Sequence, residues 1–438
     1  MLDASPELEA LIDACRARPA DDLPRLVLAD WLDESGESDR AELVRVQVEL
    51  SHPTGDNRRM VALRASEREL LARCPSTWMD EFALAIERAL PDDPRQRYLA
   101  GGYGHPRPCQ LRRGLGHVHV TPWLLGRETV RDWLARLPVW IESVHVRYER
   151  VDSFVKAEFP DALFGRLQLT LALHGEAARL ADPEAELRQF ALSSNFAALQ
   201  GLELAGLDGG MAIPILAGVG VDHLTRLVVD CVGRSRYAAS VLSSASTDRL
   251  STLDLGLLDE AALKSLLRST SLGQLAELRL HGSPIGDAGF IALCESPLAG
   301  RLRSVCLANT GIGDRGAAAL AASPLIGAMH GPKLNLMMNH IGDAGLAALA
   351  ACEHLLRFDE LVLRENAVGD SGIISLAASE FAANLRYLDC WRNRIGDAGA
   401  RALANSRHLN RLVDLSVKEN SIADPRPLID RYGEAAKC

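Results

Sequence analysis

Short bursts of alternating apolar residues recur along the second half of the chain: Leu278/Leu280, Val305/Leu307, Leu334/Leu336, Leu361/Leu363, Leu388/Cys390 and Leu415/Val417. A period of two predicts short strands, each with one buried face. Most copies carry another Leu three residues earlier, as in Leu385-Arg-Tyr-Leu388. A polar turn follows each strand, then an apolar residue, then Gly-Asp and an Ala-rich stretch of helical character. The copies read Leu336-Met-Met-Asn339-His-Ile341-Gly-Asp343-Ala-Gly345, Leu363-Arg-Glu-Asn366-Ala-Val368-Gly-Asp370-Ser-Gly372, Cys390-Trp-Arg-Asn393-Arg-Ile395-Gly-Asp397-Ala-Gly399 and Val417-Lys-Glu-Asn420-Ser-Ile422-Ala-Asp424. Two earlier copies end Ser283-Pro-Ile285-Gly-Asp287 and Thr310-Gly-Ile312-Gly-Asp314. The apolar residue falls at 285, 312, 341, 368, 395 and 422, in steps of 27, 29, 27, 27 and 27. Chance does not hold a multi-residue register that long, so the array is an internal repeat.

The Asn that closes each strand turn needs partners for its amide if it is covered. Stacked copies supply them by bonding backbone groups across the repeat boundary. Ser283 and Thr310 are shorter, so their turns are expected to be held less well. Asp287, Asp314, Asp343, Asp370 and Asp397 stand where helices begin, and each is expected to cap its own helix. Asp424-Pro425 fits the same pattern, since Pro is tolerated in a first helical turn. Gly289, Gly316, Gly345, Gly372 and Gly399 weaken those helices but permit close packing on a neighbour. Strand, turn and helix at about 27 residues make a leucine-rich repeat. Over residues 275–424 the Asn-x-Ile-Gly-Asp-Ala-Gly form resembles the ribonuclease-inhibitor-like subtype. That resemblance implies an α/β solenoid, a horseshoe with parallel strands on the concave face and helices on the convex face.

Weaker copies extend upstream. Leu202/Leu204, Leu227/Val229 and Leu253/Leu255 follow Leu199, Leu224 and Leu250. Val118/Val120, Val144/Val146 and Leu169/Leu171 come before them, without the Asn or the Gly-Asp. The solenoid is therefore extended to about residue 115, with residues 172–198 as the irregular stretch. A separate α/β domain over 109–200 is the alternative.

The first fifty residues predict three helices. Ser5-Pro6 opens one with Leu8, Leu11, Ile12 and Cys15 on one face, ended by Pro19 and Asp21-Asp22. A second runs from Pro24 to Glu34, ended by Gly36, and a third from Arg40 to Leu50. Residues 57–73 and 77–90 read as two more, and Gly101-Gly-Tyr-Gly104-His-Pro-Arg-Pro108 as a linker. The stretch Ala29-Asp30-Trp31-Leu32-Asp33-Glu34-Ser35-Gly36, with Arg40 and the helix ending Gln47-Val-Glu49-Leu50, resembles the bacterial repeat-companion domain, a small module that precedes repeat arrays. Arg112-Arg113-Gly114-Leu115 resembles the start of the array in such proteins. No activity carries over from that family. Asp30, among Leu26, Val27, Trp31 and Leu32, is expected in a buried ion pair with Arg40 or Arg45, and Trp31 in the core. The domain plan is a helical unit over 1–105, a solenoid over 106–424 and a cap over 425–438.

Composition narrows the function. The 438 residues are 47% hydrophobic, 24% charged and 5% aromatic, a globular mix. Lys and Arg number 48 against 58 Asp and Glu, a net charge of −10, which argues against a broad nucleic-acid or membrane-binding surface. Nine Cys are scattered without a CxxC pair, which points to reduced thiols. The run 209–221 is broken by Pro214 and too short to span a bilayer. Residues 1–16 do not read as a signal peptide. A cytoplasmic, monomeric chain without cofactors is expected.

No GxxxxGK[ST], HExxH or GxSxG occurs. Cys74 reads as a helix-end thiol rather than a nucleophile. His117, His119 and His145 share a strand face, but no nearby carboxylate orients them for a metal. Cys294, Cys352 and Cys390 read as small apolar filler. The repeat register stacks Arg279, Cys306, Asn335, Val362, Asp389 and Ser416 in one exposed column, and His281, Ala308, Met337, Arg364, Trp391 and Lys418 in the next. An exposed Trp flanked by Arg and Lys is typical of an interface anchor. Met337, Arg364, Trp391 and Lys418, with Tyr387 and Asp389 at the edge, are therefore the candidate contact patch for a protein partner, against a solvated face whose basic side chains stack on Trp391. The expected function is a non-enzymatic protein-binding scaffold. A regulator of a partner enzyme, as inhibitor or GTPase activator, and an enzyme working through the N-terminal helices are the alternatives.

Overall fold

The computed structural model describes residues 5–17, 21–51, 57–73, 109–112, 115–120, 122–125, 127–135, 141–148, 154–157, 159, 167–172, 183–207, 220–231, 247–329 and 331–438. The chain divides into two compact units. Met1–Ser51, Arg58–Asp230 and Arg249–Ser251 make the first; His52–Asn57, Cys231–Asp248 and Thr252–Cys438 make the second.

The first unit begins with α1 (Pro6–Ala17), α2 (Leu23–Glu34) and α3 (Ser38–Ser51). Helical spacing places Leu8, Ile12 and Cys15 on one face of α1, Leu28, Ala29 and Leu32 on α2, and Ala41, Val44 and Val48 on α3. These nine residues form one buried core, with Leu11 and Trp31 half-buried against it. Ser5 Oγ accepts from Leu8 N–H at 3.2 Å and starts α1. Gly36, at φ +83°, takes the left-handed conformation that ends α2. On α4 (Asn57–Arg73), Leu63 and Leu70 pack on Leu43 and Val46. The expected helix over 77–90, the linker at 101–108 and Cys74 lie outside the described residues.

The expected burial of Asp30 is corrected. Its side chain is 70% exposed, and Arg45 reaches it at 2.7 Å while bonding Asp33 at 2.6 Å. The clamp between α2 and α3 therefore exists, but on the surface, because position 30 falls outside the 28/32 stripe. Asp30 and Asp33 together hold the Arg45 guanidinium above its usual range. Exposed pairs are worth little, so Arg45→Ala should lower the unfolding free energy by less than about 1 kcal/mol in urea titration.

The strands of this unit follow chain order. β1 (Cys109–Arg112) runs antiparallel to β2 (Leu115–Val120), an edge strand that the repeat pattern does not carry. β2, β3 (Ile141–Tyr148), β4 (Leu167–Ala172) and β5 (Leu199–Leu207) are parallel neighbours, and β6 (Arg226–Cys231) comes next. Their register matches the alternating pairs: Val118 opposite Val144, Val120 opposite Val146, Val146 opposite Leu169, and Leu169 opposite Leu202. All six of these side chains are buried. α5 (Pro122–Leu125) and α6 (Glu128–Ala135) lie between β2 and β3 in the chain; α7 (Pro183–Ala191) and α8 (Ser194–Ala197) fall in the long irregular stretch before β5. Tyr148, Phe154, Phe190, Phe196 and His223 form a continuous ring row with centroids 5.1–5.5 Å apart. Asn195 Nδ2 ties this row together by donating to Phe154 O at 2.8 Å and Ala157 O at 2.9 Å.

The second unit holds parallel three-residue strands. β7 (Thr252–Asp254), β8 (Glu277–Arg279) and β9 (Ser304–Cys306) pair in order. So do β10 (Lys333–Asn335), β11 (Glu360–Val362), β12 (Tyr387–Asp389), β13 (Asp414–Ser416) and β14 (Ala436–Lys437). The middle residue of each of the first seven is buried: Leu253, Leu278, Val305, Leu334, Leu361, Leu388 and Leu415. The flanking residues face away from the core, as alternation requires, although Val362, expected in an exposed column, is itself buried. The helices are α9 (Glu260–Leu266), α10 (Gly286–Cys294), α11 (Asp314–Ala322), α12 (Pro324–Ala328), α13 (Asp343–Ala350), α14 (Asp370–Ala378), α15 (Asp397–Ala404) and α16 (Arg426–Tyr432). They bury Leu263, Phe290, Leu320, Leu349, Leu376, Leu403 and Leu428 behind the strands. Burial pushes the Cys294 thiol up to about 12 and that of Cys390 still higher, in keeping with apolar filler.

Three ladders of side chains join successive copies. In the first, Asn366 Nδ2 donates to Leu336 O at 2.9 Å and Leu363 O at 3.0 Å, and its Oδ1 accepts from Ile341 N–H at 3.0 Å. Asn393 repeats this with Leu363 O, Cys390 O and Val368 N–H, and Asn420 with Cys390 O, Val417 O and Ile395 N–H. Thr310 is not left slack, because Asn339 Oδ1 accepts from both its N–H and its hydroxyl at 3.1 Å.

The Asp ladder corrects an expectation. Asp314, Asp343, Asp370 and Asp397 are the first residues of their helices, and Gly313, Gly342, Gly369 and Gly396 occupy the N-cap position. The carboxylates of Asp287, Asp314, Asp343 and Asp370 cap the helix of the next repeat instead, and that of Asp397 holds the turn ahead of α16. Asp287 Oδ1 accepts from Gly313 N–H at 2.7 Å and Gly316 N–H at 2.8 Å. Asp314 does so for Gly342 and Gly345, Asp343 for Gly369 and Gly372, Asp370 for Gly396 and Gly399, and Asp397 for Ala423 and Asp424. Asp259 does cap its own helix, through Ala262 N–H at 2.9 Å, and Asp424 Oδ1 accepts from Arg426 N–H at the start of α16 at 3.2 Å. In the third ladder, Ser323, Ser379 and Ser406 donate to the carbonyls of Cys294, Ala350 and Ala377, at the ends of the preceding helices.

Candidate functional site

The outward columns of β11 to β14 frame a hollow of about 360 Å³. Glu360, Arg364, Tyr387, Leu388, Asp389, Trp391, Asp414, Ser416, Lys418 and Lys437 line it. The strands place these side chains by simple register. Glu360, Tyr387 and Asp414 stand in one column, and Val362, Asp389 and Ser416 two residues on in the next. Arg364, Trp391 and Lys418 follow after two more residues. The turn that carries this third column is unusual. The residue just after it in each copy (Asn309, Met338, Glu365, Arg392, Glu419) has φ between 53° and 56°. A repeated left-handed residue without Gly costs of order 1 kcal/mol each and is held by the Asn behind it.

Trp391, expected as an exposed side chain, is half-buried and lines the hollow. The Arg364 guanidinium carbon lies 4.1 Å from its ring centroid, and that of Arg392 lies 5.1 Å away. Asp389 Oδ1 accepts from Trp391 N–H at 3.0 Å and fixes the backbone under the ring. Tyr387 is 39% exposed. Lys437, on β14, pairs with Asp414, and Lys333 pairs with Glu360 at 2.6 Å. Arg392 bridges Glu365 at 3.5 Å and Glu419 at 3.3 Å along the adjoining ridge. Among the described residues neither Arg364 nor Lys418 has an ion-pair partner, and Arg364 Nε is buried without a hydrogen-bond partner.

Of the six residues singled out in the sequence, five (Arg364, Tyr387, Asp389, Trp391 and Lys418) come together on this hollow. Met337 stands half-buried one strand further along and is not among its lining. Glu360, Asp414 and Lys437 were not singled out. The first two could have been read from the Tyr387 column at the repeat spacing. Lys437 could not, because β14 carries no repeat motif.

In the first unit, His119 and His145 are opposite in register, with ring centroids 4.8 Å apart. Among the described residues no group of three His, Cys, Asp or Glu is placed to hold a metal, and no helix is long and apolar enough to cross a membrane.

No curated protein matches this sequence. Among solved structures, the chain is similar to an internalin from Listeria monocytogenes, at 16% identity and a TM-score of 0.25, covering 60% of this chain and 92% of that one. A likeness of that size bears on neither fold detail nor function. The family model described as Leucine Rich repeat matches residues 333–350 and 382–404. Those matches fall on β10 to α13 and β12 to α15, where strand, left-handed turn, Asn and capped helix recur in register. These segments of the second unit are leucine-rich repeats.

Proposed function

We propose that this chain is a non-enzymatic scaffold that binds a protein partner on the strand face of β11 to β14. The observation that carries this reading is Trp391, a half-buried indole lining the hollow and stacked by two guanidiniums. Trp, Tyr and Arg dominate the energetics of protein interfaces. The three bonded ladders hold the strands rigidly, so little ordering cost opposes association. Leucine-rich repeats serve as interaction modules, and no catalytic constellation accompanies them here among the described residues.

In this reading Met337, Arg364, Tyr387, Asp389, Trp391 and Lys418 form the contact patch. Residues 1–105, with the repeat-companion stretch at 29–36, serve as a helical companion unit. Residues 106–424 are the solenoid and residues 425–438 its cap. The chain works as a cytoplasmic monomer without a cofactor.

The test is affinity capture from native host lysate with the wild type and Trp391→Ala side by side. Truncating this Trp should weaken capture of the bound protein by about 30-fold or more, an anchor's worth of about 2 kcal/mol. Equal capture by both would remove the proposal.

A further inference from the structure

The charges on the hollow balance in number, and it is the way they pair that says what fits it. Three carboxylates and three cations line it. Two of the carboxylates are already matched: Glu360 by Lys333 and Asp414 by Lys437. Asp389 remains, engaged with the Trp391 amide. Arg364 and Lys418 remain on the other side of the ledger, on the strand turns that flank Trp391, with no carboxylate of the described residues within ion-pair range. Arg364 lies against the indole, so its orientation comes from stacking rather than from an acid. Neighbouring turns of a parallel array sit about 4.8 Å apart, which puts Arg364 and Lys418 about 10 Å apart at the backbone. Two long side chains at that separation can converge on one carboxylate above the indole. Tyr387 and Trp391 supply the apolar wall next to it.

We infer that the hollow takes an acidic stretch of the partner protein, one carboxylate held by Arg364 and Lys418 and an adjacent apolar side chain laid against Trp391 and Tyr387. This rests on the docking role given to the same face above and adds the chemistry of the partner. A basic stretch would meet two unmatched cations and be repelled, which is how charged rims exclude wrong partners. Arg suits this place because its planar group both stacks on the indole and presents paired donors to a carboxylate.

The experiment uses the full chain and a random twelve-residue peptide library displayed on phage. Three baits are compared: wild type, Trp391→Ala and the double variant Arg364→Glu with Lys418→Glu. Circular dichroism confirms that each bait is folded; Lys418 is exposed and Arg364 and Trp391 are half-buried, all three outside the buried strand core. The wild type should select peptides rich in Asp and Glu beside an aromatic or large aliphatic residue. A selected acidic peptide should bind the double variant about 100-fold more weakly, and that variant should select Lys- and Arg-rich peptides instead. Peptides selected by the wild type and lost on Trp391→Ala but without an acidic excess would overturn the acidic assignment and leave the docking role standing. Equal selection by wild type and Trp391→Ala, or no selection at all, would overturn both.

Discussion

Replacing Asn339 by alanine should cost about 3–5 kcal/mol of stability. Asn339 is 4% exposed and makes six hydrogen bonds. Its Oδ1 accepts from Thr310 N–H and Thr310 Oγ1 at 3.1 Å and from Ile312 N–H at 3.0 Å. Its Nδ2 donates to Leu307 O at 2.8 Å, Leu336 O at 3.0 Å and Met337 O at 3.2 Å. A neutral hydrogen bond contributes only about 1 kcal/mol net, but a buried group left without a partner costs about 1–3 kcal/mol. Alanine leaves the Thr310 and Ile312 amides uncovered at once, while the Leu307 carbonyl keeps the Thr310 hydroxyl at 2.9 Å and the Leu336 carbonyl keeps Asn366 Nδ2 at 2.9 Å. Met337 O suffers less, since Asn309 N–H also donates to it at 2.9 Å. Asn339→Asp should be about as harmful, because it keeps the acceptor but turns a second oxygen on three carbonyls. Asn339→Ser should recover part of the loss. Ser283 fills the equivalent place two copies earlier, accepting from Leu258 N–H at 3.1 Å and donating to Gly256 O at 3.2 Å. Repeat arrays couple only neighbours, so the damage should show as lost hydrogen-exchange protection at Thr310 and Ile312, alongside a lower urea midpoint. An Asn339→Ala protein within 1 kcal/mol of wild type would contradict the account.

What could be read in the sequence was whatever a single copy writes in its own residues. Leu388 and Cys390 alternate, so β12 and its buried face were legible, as was the register of Val144 on Val118 twenty-six residues away. The Asn ladder was legible because a polar amide at a fixed place in every copy has few ways to be satisfied. What could not be read depends on which copy a side chain serves. An Asp at a helix start satisfies the capping rule equally well for its own helix or the next, and local rules do not choose. The left-handed column was hidden because Met338, Glu365, Arg392 and Glu419 give no Gly signal; the backbone there is imposed by the Asn bonds rather than by local preference. Asp30 was misplaced for a related reason. Apolar neighbours in sequence are not neighbours on a helix face. The candidate site was legible as far as the columns ran, and lost Lys437 where the repeat stops.

The inter-repeat Asp ladder makes a second strong expectation, at Gly372. On helix propensity alone, Gly372→Ala in α14 should stabilise the protein by about 1 kcal/mol. The neighbouring helix reverses the sign. A Cβ at 372 would lie 2.8 Å from Asp343 Oδ1 and 3.0 Å from Asp343 Cα. The oxygen could swing away, but only by leaving Gly369 N–H at 2.7 Å and Gly372 N–H at 2.9 Å, both charge-assisted bonds at a helix N-terminus. The Cα belongs to the backbone of α13 and cannot move without shifting that helix. Gly372→Ala should therefore destabilise by about 2–4 kcal/mol, the overpacking and the lost bonds together outweighing propensity. Asp343→Ala alone should cost about 2–3 kcal/mol through the two orphaned amides. The double variant separates the causes. With the carboxylate gone, the new methyl meets one close contact rather than two, so the pair should cost about 1–2 kcal/mol less than the sum of the singles. Additive singles would mean that the methyl and the carboxylate do not compete for the same space. A stabilised Gly372→Ala protein would mean that the glycine is not kept by the neighbour's acid at all. The same contact recurs where Gly316, Gly345 and Gly399 would each bring a Cβ within 2.7 Å of Asp287, Asp314 and Asp370. The Gly of one copy and the Asp of the copy before it therefore constitute one structural unit, even where the repeat lengthens and their separation grows from 29 to 31 residues.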